Sequence, residues 1–137
     1  MAVLVDTGVF LSAGDSDEPR HTACADLLAR HRGELVVAGP VVAESAWLIE
    51  SRLGPSAEAR FLRLITTGEL RVVDLSVDDY LRCVALIETY ADMGLGLVDS
   101  SIVTVAENLG VTTIATLNHR DFRVVRPAHT VAFELVP

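Results

Sequence analysis

Short apolar runs alternate along this chain with longer segments in which apolar residues recur every three or four positions. The short runs are typical of buried strands, and the longer segments are typical of amphipathic helices. Because the two kinds of element alternate, the sequence predicts an α/β fold with a mostly parallel sheet covered on both faces. The predicted strands are Val3–Val5, Leu35–Ala38, Leu70–Val73 and Val111–Ala115.

The predicted helix boundaries rest on residues that favour one end of a helix. Pro40 suits the first position of a helix, and Ser76 with Asp79 resembles a capping pair. Gly110 favours a helix end, and Met93–Gly96 is expected to be a loop. The predicted helices are Thr7–Ala13, Arg20–His31, Pro40–Leu53, Ser56–Ile65, Ser76–Tyr90 and Asp99–Leu109.

From Thr116 onward the sequence predicts less regular structure. Thr116–Phe122 is polar and is expected to be a loop, and Val124-Val125 and Val131–Phe133 are late strand candidates. No repeat, linker or low-complexity segment divides the chain, and its length suits one domain with a real core. We therefore expect a single domain over residues 1–137.

Three carboxylates occupy apolar settings. Asp6 ends the first apolar run, Glu44 lies within Pro40–Ile49, and Asp99 lies within Leu95–Val103. An ionised carboxylate in an apolar setting costs several kcal/mol unless something cationic compensates it. Three such acids far apart in the sequence suggest one shared compensator, and a hard divalent cation bound through oxygen is the simplest.

The positions of these acids relative to the strands predict a common site. In an open parallel sheet, sites form beyond the carboxyl ends of the strands. Asp6 directly follows the first strand, and Glu44 follows the second within a helical turn. Asn118 and Asp121 follow the fourth strand, and Asp99 opens a helix. We therefore expect most of these side chains at one rim of the sheet.

Each acid also has an ordinary structural interpretation. Asp6 could form a turn, Asp99 could cap a helix for about 1 kcal/mol, and Glu44 could complement a helix dipole. Taken singly, each interpretation is as plausible as a functional one. Together they explain less, because capping does not require an acid at every strand end of one rim.

The composition of the chain limits the reactions and the modes of nucleic-acid binding that are open to it. The chain has eleven arginines, no lysine and a formal charge of −8. The absence of lysine excludes a lysine nucleophile or Schiff base, and the negative charge argues against a broad basic face for nucleic acid. A nuclease is still compatible with this composition, because clustered active-site acids themselves make the net charge negative and arginine can hold phosphates.

The sequence also predicts the cellular compartment of the protein. Its start shows neither the basic segment nor the cleavage site of a signal peptide. No apolar run approaches the roughly 20 residues of a membrane span. We therefore expect a cytoplasmic protein without membrane contact.

Five further residues have weaker signals. Asp92 follows a helix C-terminus, where the dipole disfavours an acid, so it is a candidate for supporting the site. His119 is a candidate substrate contact because it lies in the loop after the fourth strand. Trp47 is expected in the core rather than as a stacking platform. Cys24 and Cys83 are expected to be reduced, buried thiols.

Four parts of the chain match a known pattern. They are the strand Val3–Thr7, Glu44 near the start of a helix, the stretch Tyr90–Ser100 and the stretch Thr116–Phe122. Together they resemble the PIN-domain ribonucleases, and in particular the VapC-type toxins of bacterial toxin–antitoxin pairs. The resemblance spans the whole chain, and the stretch around Asp99 is its most specific part.

The resemblance implies a three-layer α/β/α fold and Mg²⁺-dependent cleavage of RNA, with Mn²⁺ as a substitute. It implies that Asp6, Glu44 and Asp99 form the site, with Asp6 and Asp99 binding the metal directly and Glu44 binding it directly or through water. It also implies a homodimer and inhibition by a cognate antitoxin. Many members have an acid at the position of Asn118, whereas this chain has Asp121 in the same loop, a pattern that other members also show. Asp121 is therefore a candidate catalytic residue and Asn118 a candidate substrate or supporting contact, and which of the two completes the site stays open.

The leading hypothesis is therefore a metal-dependent endoribonuclease toxin, and two alternatives stay open. A PIN-type binding module without activity is one, because of Asn118. A receiver-like phosphoacceptor domain is the other, although it normally needs a lysine. The helices around Ala23–Leu28 and Val41–Leu64 carry more apolar residues than one buried face needs, so we predict a groove for an antitoxin helix.

Overall fold

A computed structural model describes residues 1–137 and contains a five-stranded sheet in the order β3-β2-β1-β4-β5. All four strand pairings are parallel, which confirms the predicted α/β class and the parallel sheet. The strands are β1 (Val3–Val5), β2 (Leu35–Ala38), β3 (Arg71–Val73), β4 (Thr113–Ala115) and β5 (Glu134–Val136).

Seven α-helices connect the strands. They are α1 (Thr7–Gly14), α2 (His21–Arg30), α3 (Gly39–Leu53), α4 (Pro55–Thr66), α5 (Val77–Thr89), α6 (Leu97–Leu109) and α7 (His119–Val124), with one turn of 3-10 helix at Ala91–Met93. Pro40 lies in the first turn of α3, as predicted. Ser76 and Asp79 form the predicted capping box, and Gly110 ends α6 with a φ of 69°.

Predictions for the last part of the chain are partly wrong. Val124 ends α7, Val125 follows it, and Val131–Phe133 lies outside any strand. The fifth strand is Glu134–Val136, an edge strand with an exposed first residue and two half-buried ones, so its apolar signal is weak. Thr116–Phe122 is not all loop, because α7 begins at His119.

The register of the central strands aligns their carboxyl ends. Val5 of β1 lies opposite Ala115 of β4, and the next amide, that of Asp6, donates to the Ala115 carbonyl over 2.8 Å. All three residues of β1 are fully buried in a core cluster of 27 residues. The side chains that follow β1 and β4 are therefore held at one rim by a rigid sheet.

Two further features concern the cysteines and the hydropathy of the helices. Cys24 and Cys83 are buried and free, as expected. None of the helices combines the length and hydropathy that a bilayer crossing requires.

Candidate active site

Asp6 is fixed at the end of β1 by two hydrogen bonds. Its Oδ1 accepts from the Thr7 amide and its Oδ2 accepts from the Thr116 hydroxyl, each over 2.8 Å. The residue is 8% exposed and caps α1, so the turn-forming interpretation describes part of its role. Burial raises the pKa of Asp6, the two hydrogen bonds oppose this, and the charge of Glu44 adds to the rise.

Glu44 is the sixth residue of α3, and the first turn of that helix carries no acid. A dipole interaction acts within the first turn, so the alternative explanation for Glu44 has no structural basis. The residue is half-buried, and its charge contributes to the raised pKa values of both Asp6 and Asp99. Glu44 therefore lies near both carboxylates.

Asp99 is the third residue of α6 and does not cap it. The cap position is Gly96, which has no side-chain hydrogen bond to offer, so the capping interpretation of Asp99 is wrong. Burial raises the pKa of Asp99 to about 6, with further contributions from the charges of Asp6, Asp121 and Glu44. No hydrogen bond opposes this rise, so the Asp99 carboxylate is less compensated than that of Asp6.

Asp6, Glu44, Asp99 and Asn118 line one open cleft, which we call the acidic cleft. Its remaining wall is formed by Thr7, Gly8, Leu11, Leu48 and Leu117. No arginine or histidine lines it, and none of the three carboxylates forms a salt bridge. The structure thus brings together four of the predicted site residues from β1, α3, α6 and the segment after β4.

Asp121 lies just outside the wall of the acidic cleft. Its amide donates to Oδ1 of Asn118 over 3.4 Å, and its Oδ2 accepts from Nδ2 of Asn118 over 3.0 Å. This reciprocal pair starts α7, and Phe122 packs beneath it in the core. Asp121 therefore supports the Asn118 cap of α7, and because its charge also raises the pKa of Asp99, it lies near the site as well.

Two predicted residues are not part of the cleft wall. Asp92 is exposed on the 3-10 turn and lines no part of the cleft. His119 is half-buried at the start of α7, and its Nε2 is buried without a hydrogen-bond partner. Neither residue lines the acidic cleft, so the supporting role of Asp92 and the substrate contact of His119 stay predictions.

Two threonines contribute to the site although the sequence analysis did not single them out. Thr116 is fully buried, and its hydroxyl donates to Asp6 and accepts from the Asn118 amide over 2.9 Å. Thr7 lines the cleft with a buried hydroxyl that has no partner in the protein. The available signal was a threonine within two residues of the end of each of two neighbouring strands.

Trp47 is not in the core, so that prediction is wrong. The side chain is 66% exposed. The buried positions of α3 are Val41, Ser45 and Ile49, which recur every four residues and define the face on the sheet. Position 47 falls on the other side of the helix, where even a large apolar side chain faces solvent.

The donor set fits a divalent cation. Three carboxylates and an amide supply the hard oxygen ligands that Mg²⁺ prefers, and the open cleft leaves room for water and a phosphate. No three histidine, cysteine, aspartate or glutamate side chains converge closely enough here to coordinate one ion together. Burial and the neighbouring negative charges both raise the pKa of Asp99, so a cation bound in the cleft would offset a cost that the protein itself leaves in place.

An apolar groove lies away from the acidic cleft. Two adjoining pockets share Phe10, Ala13, Leu28 and Leu64, and Leu53 and Phe61 line the second of them. These residues come from α1, α2, α3 and α4, which include the segments predicted to form a groove. The groove has a mostly apolar lining and no acid in its second half.

The chain belongs to the PIN domain family, whose sequence profile matches residues 3–126. It is 29% identical to ribonuclease VapC26 of Mycobacterium tuberculosis over 135 residues. The aligned region covers 98% of this chain and 100% of that protein. This membership confirms the resemblance and removes the receiver-like alternative.

Solved structures share the fold. VapC20 of Mycobacterium tuberculosis, described as a sarcin-ricin loop cleaving toxin, superposes with a TM-score of 0.77 at 18% identity over 82% of this chain and 87% of that one. VapBC2 of Rickettsia felis, bound to a DNA fragment from its promoter, superposes with a TM-score of 0.71 at 16% identity over 100% of both chains. These likenesses establish the three-layer α/β/α PIN fold.

Proposed function

We propose that this chain is a cytoplasmic, Mg²⁺-dependent endoribonuclease toxin that a cognate antitoxin neutralises, with Mn²⁺ able to replace Mg²⁺. The observation that carries the proposal is the group of uncompensated carboxylates at one rim, with the pKa of Asp99 raised to about 6. Perturbed carboxylates gathered in a cleft are typical of functional sites. The relatives named ribonuclease and toxin support the same activity.

The chemistry follows from the donor set. A bound divalent ion would lower the pKa of a water molecule and stabilise charge on the scissile phosphate. Asp6 and Asp99 would hold it directly, and Glu44 directly or through water. Thr116 and the Thr7 amide keep the Asp6 carboxylate in one orientation, so its position does not depend on the ion.

Asn118 and Asp121 complete the site without a fourth acid in the cleft wall. Asn118 lines the cleft, and its side chain is oriented by the hydrogen bond to Asp121. An amide in that position can hold a water or a phosphate oxygen but adds no charge. The charge at this end of the cleft would come from Asp121, which lies close enough to affect Asp99.

The apolar groove is the proposed antitoxin site. Solved relatives of this fold include complexes named VapBC, and an amphipathic helix laid into an apolar groove is a common mode of recognition. Leu64→Asp should abolish co-purification with the product of a neighbouring antitoxin gene. Leu62→Asp is the matched control, because Leu62 lies on the same helix, is 38% exposed and lines neither pocket.

A homodimer is the proposed assembly, and α5 supplies its surface. Val77, Tyr80, Leu81 and Val84 are all exposed and recur at helical spacing along one side of α5. An exposed apolar stripe of this kind favours association. Leu81→Glu should convert the dimer to a monomer in analytical ultracentrifugation, and an unchanged dimer would exclude this surface.

The activity can be tested by induced expression in cells without the antitoxin. Sequencing of RNA 5′ ends should reveal new ends with wild-type protein, and these ends should be absent with Asp99→Asn at equal expression. New ends that persist with Asp99→Asn would contradict the proposed site. If neither protein creates new ends while the groove still binds an antitoxin, the inactive binding module, which Asn118 favours, is the better description.

A further inference from the structure

Trp47 lies beside the acidic cleft and is largely open to solvent. It is the only tryptophan of the chain, and its side chain is 66% exposed. It follows Glu44 by three residues and precedes Leu48, and both of these line the cleft. Because residues three apart on a helix are surface neighbours, the indole lies at the outer edge of the wall that contains Glu44.

The surroundings of Trp47 on α3 do not continue an apolar patch. Its neighbours one turn away are Ala43, Glu50 and Ser51, and all three are exposed. A protein interface is built around a contiguous apolar centre, and α5 has such a stripe whereas α3 does not. An isolated flat ring next to a charged site is better suited to stacking on a single nucleobase.

The distribution of cations points to the same ligand. Arg120, Arg123 and Arg126 follow Asn118 within a short segment, all three are exposed, and none forms an ion pair with an acid. With a net charge of −8, the chain can attract a phosphate backbone only at local positions of this kind. The three arginines therefore place positive charge on and just after α7, the helix that begins one residue after the cleft-lining Asn118.

The sheet order places these two features on opposite sides of the acids. Helix α7 follows β4, Asp6 follows β1, and α3 follows β2, and these strands are adjacent in the order β2-β1-β4. A strand of RNA that runs from the arginines of α7 across Asp6 reaches α3 next. Its backbone would be held at one end and a base would meet Trp47 at the other.

We propose that Trp47 stacks on a base of single-stranded RNA next to the phosphate held in the acidic cleft, and so helps to select the cleavage site. This inference rests on the proposed ribonuclease function. The substrate is single-stranded at this point, because the faces of a base within a duplex are already covered by its neighbours. Trp47 is thus a substrate contact outside the acidic cluster.

Fluorescence offers a direct test, because the only tryptophan is the proposed contact. In the Asp99→Asn background, which keeps the RNA intact, a mixed-sequence single strand of about 12 nucleotides should quench the emission. The same sequence as a duplex should quench it much less. A strand whose binding, measured by anisotropy, leaves the emission unchanged would overturn the inference.

Kinetics separate a substrate contact from a structural role. Trp47→Ala should raise KM for the single strand about tenfold with little change in kcat. Trp47→Phe should bring KM most of the way back to the wild-type value. Val131→Ala is the control, because Val131 is 88% exposed and precedes β5, away from the carboxyl rim. Equal KM values for wild type and Trp47→Ala would contradict the proposal.

The remaining outcomes separate a failure of this inference from a failure of the proposed ribonuclease function. If wild type cleaves RNA but Trp47→Ala cleaves it equally and no quenching occurs, the inference fails and the ribonuclease function stands. If wild type shows no cleavage in Mg²⁺ or Mn²⁺, the proposed function fails first. If the emission shifts with protein concentration without RNA, and Trp47→Ala lowers the oligomeric mass, the ring covers a second copy and the inference is wrong.

Discussion

Asp99→Asn should stabilise the metal-free protein, although it removes a residue of the proposed active site. The Asp99 carboxylate is partly buried, accepts no hydrogen bond and lies near three other acids, which raises its pKa from 3.8 to about 6. A rise of this size corresponds to about 3 kcal/mol of destabilisation of the folded state at neutral pH. Because Asp99 is partly exposed, solvent screening reduces the expected effect to about 1–2 kcal/mol.

The sign of the pH dependence follows from the direction of the pKa shift. Between the ordinary pKa and the raised one, the folded state binds more protons than the unfolded state, so stability falls as pH rises. The penalty is absent below the ordinary value of 3.8 and complete above about 6. The advantage of Asp99→Asn should therefore be present at about pH 7.5 and absent near pH 3.5.

Thermal melts in chelator would measure the effect. Asp99→Asn should melt about 3–8 °C above wild type at neutral pH. Asp26→Asn is the control for an acid-to-amide change, because Asp26 is exposed on α2 and lies outside the acidic cleft. Added Mg²⁺ should stabilise wild type more than Asp99→Asn, because only the intact site binds the ion well. A variant no more stable than wild type, or equally stabilised at both pH values, would refute this reasoning.

Of three further predictions, two concern residues around the site and one concerns a distant ion pair. Thr116→Val should cost about 1–3 kcal/mol in denaturant unfolding and slow RNA cleavage, because Asp6 loses a hydrogen bond, and Thr116→Ser should restore both. Glu107→Gln should cost about 1–2 kcal/mol by weakening the two-bond pair with Arg82, and wild type should lose the same stability as pH falls through the lowered pKa of Glu107. Asp121→Asn should weaken the apparent Mg²⁺ affinity, measured by calorimetry, more than it changes the metal-free melting temperature. The opposite order would mean that Asp121 only supports the Asn118 cap of α7.

The central sheet and the acids at its rim could be predicted because their signals are local. Val3–Val5 is a continuous apolar run that ends in an acid, and the parallel order of α/β folds places that acid at the carboxyl rim. Glu44 and Asp99 stand out because acids are rare among apolar neighbours. The structure adds what spacing cannot give, namely that these side chains line one cleft with Asn118.

The parts that could not be predicted depend on tertiary context. Strand β5 lies at the sheet edge with few buried positions, so its residues carry little apolar signal. Helix α7 is short and depends on the Asn118 cap, which resembles an ordinary polar loop. Trp47 was expected in the core because tryptophan is mostly buried, whereas the four-residue spacing of Val41, Ser45 and Ile49 turns it outward.

The most direct test of the central claim is the Mg²⁺ dependence of RNA cleavage by purified wild-type protein and by Asp6→Asn. Wild type should show no cleavage in chelator and a rate that rises with Mg²⁺ and saturates. Asp6→Asn, checked by its thermal melt to be folded, should lose most of that rate at every Mg²⁺ concentration. Cleavage that persists in chelator, or a folded Asp6→Asn protein that cleaves at the wild-type rate, would contradict a metal-dependent site at the acidic rim.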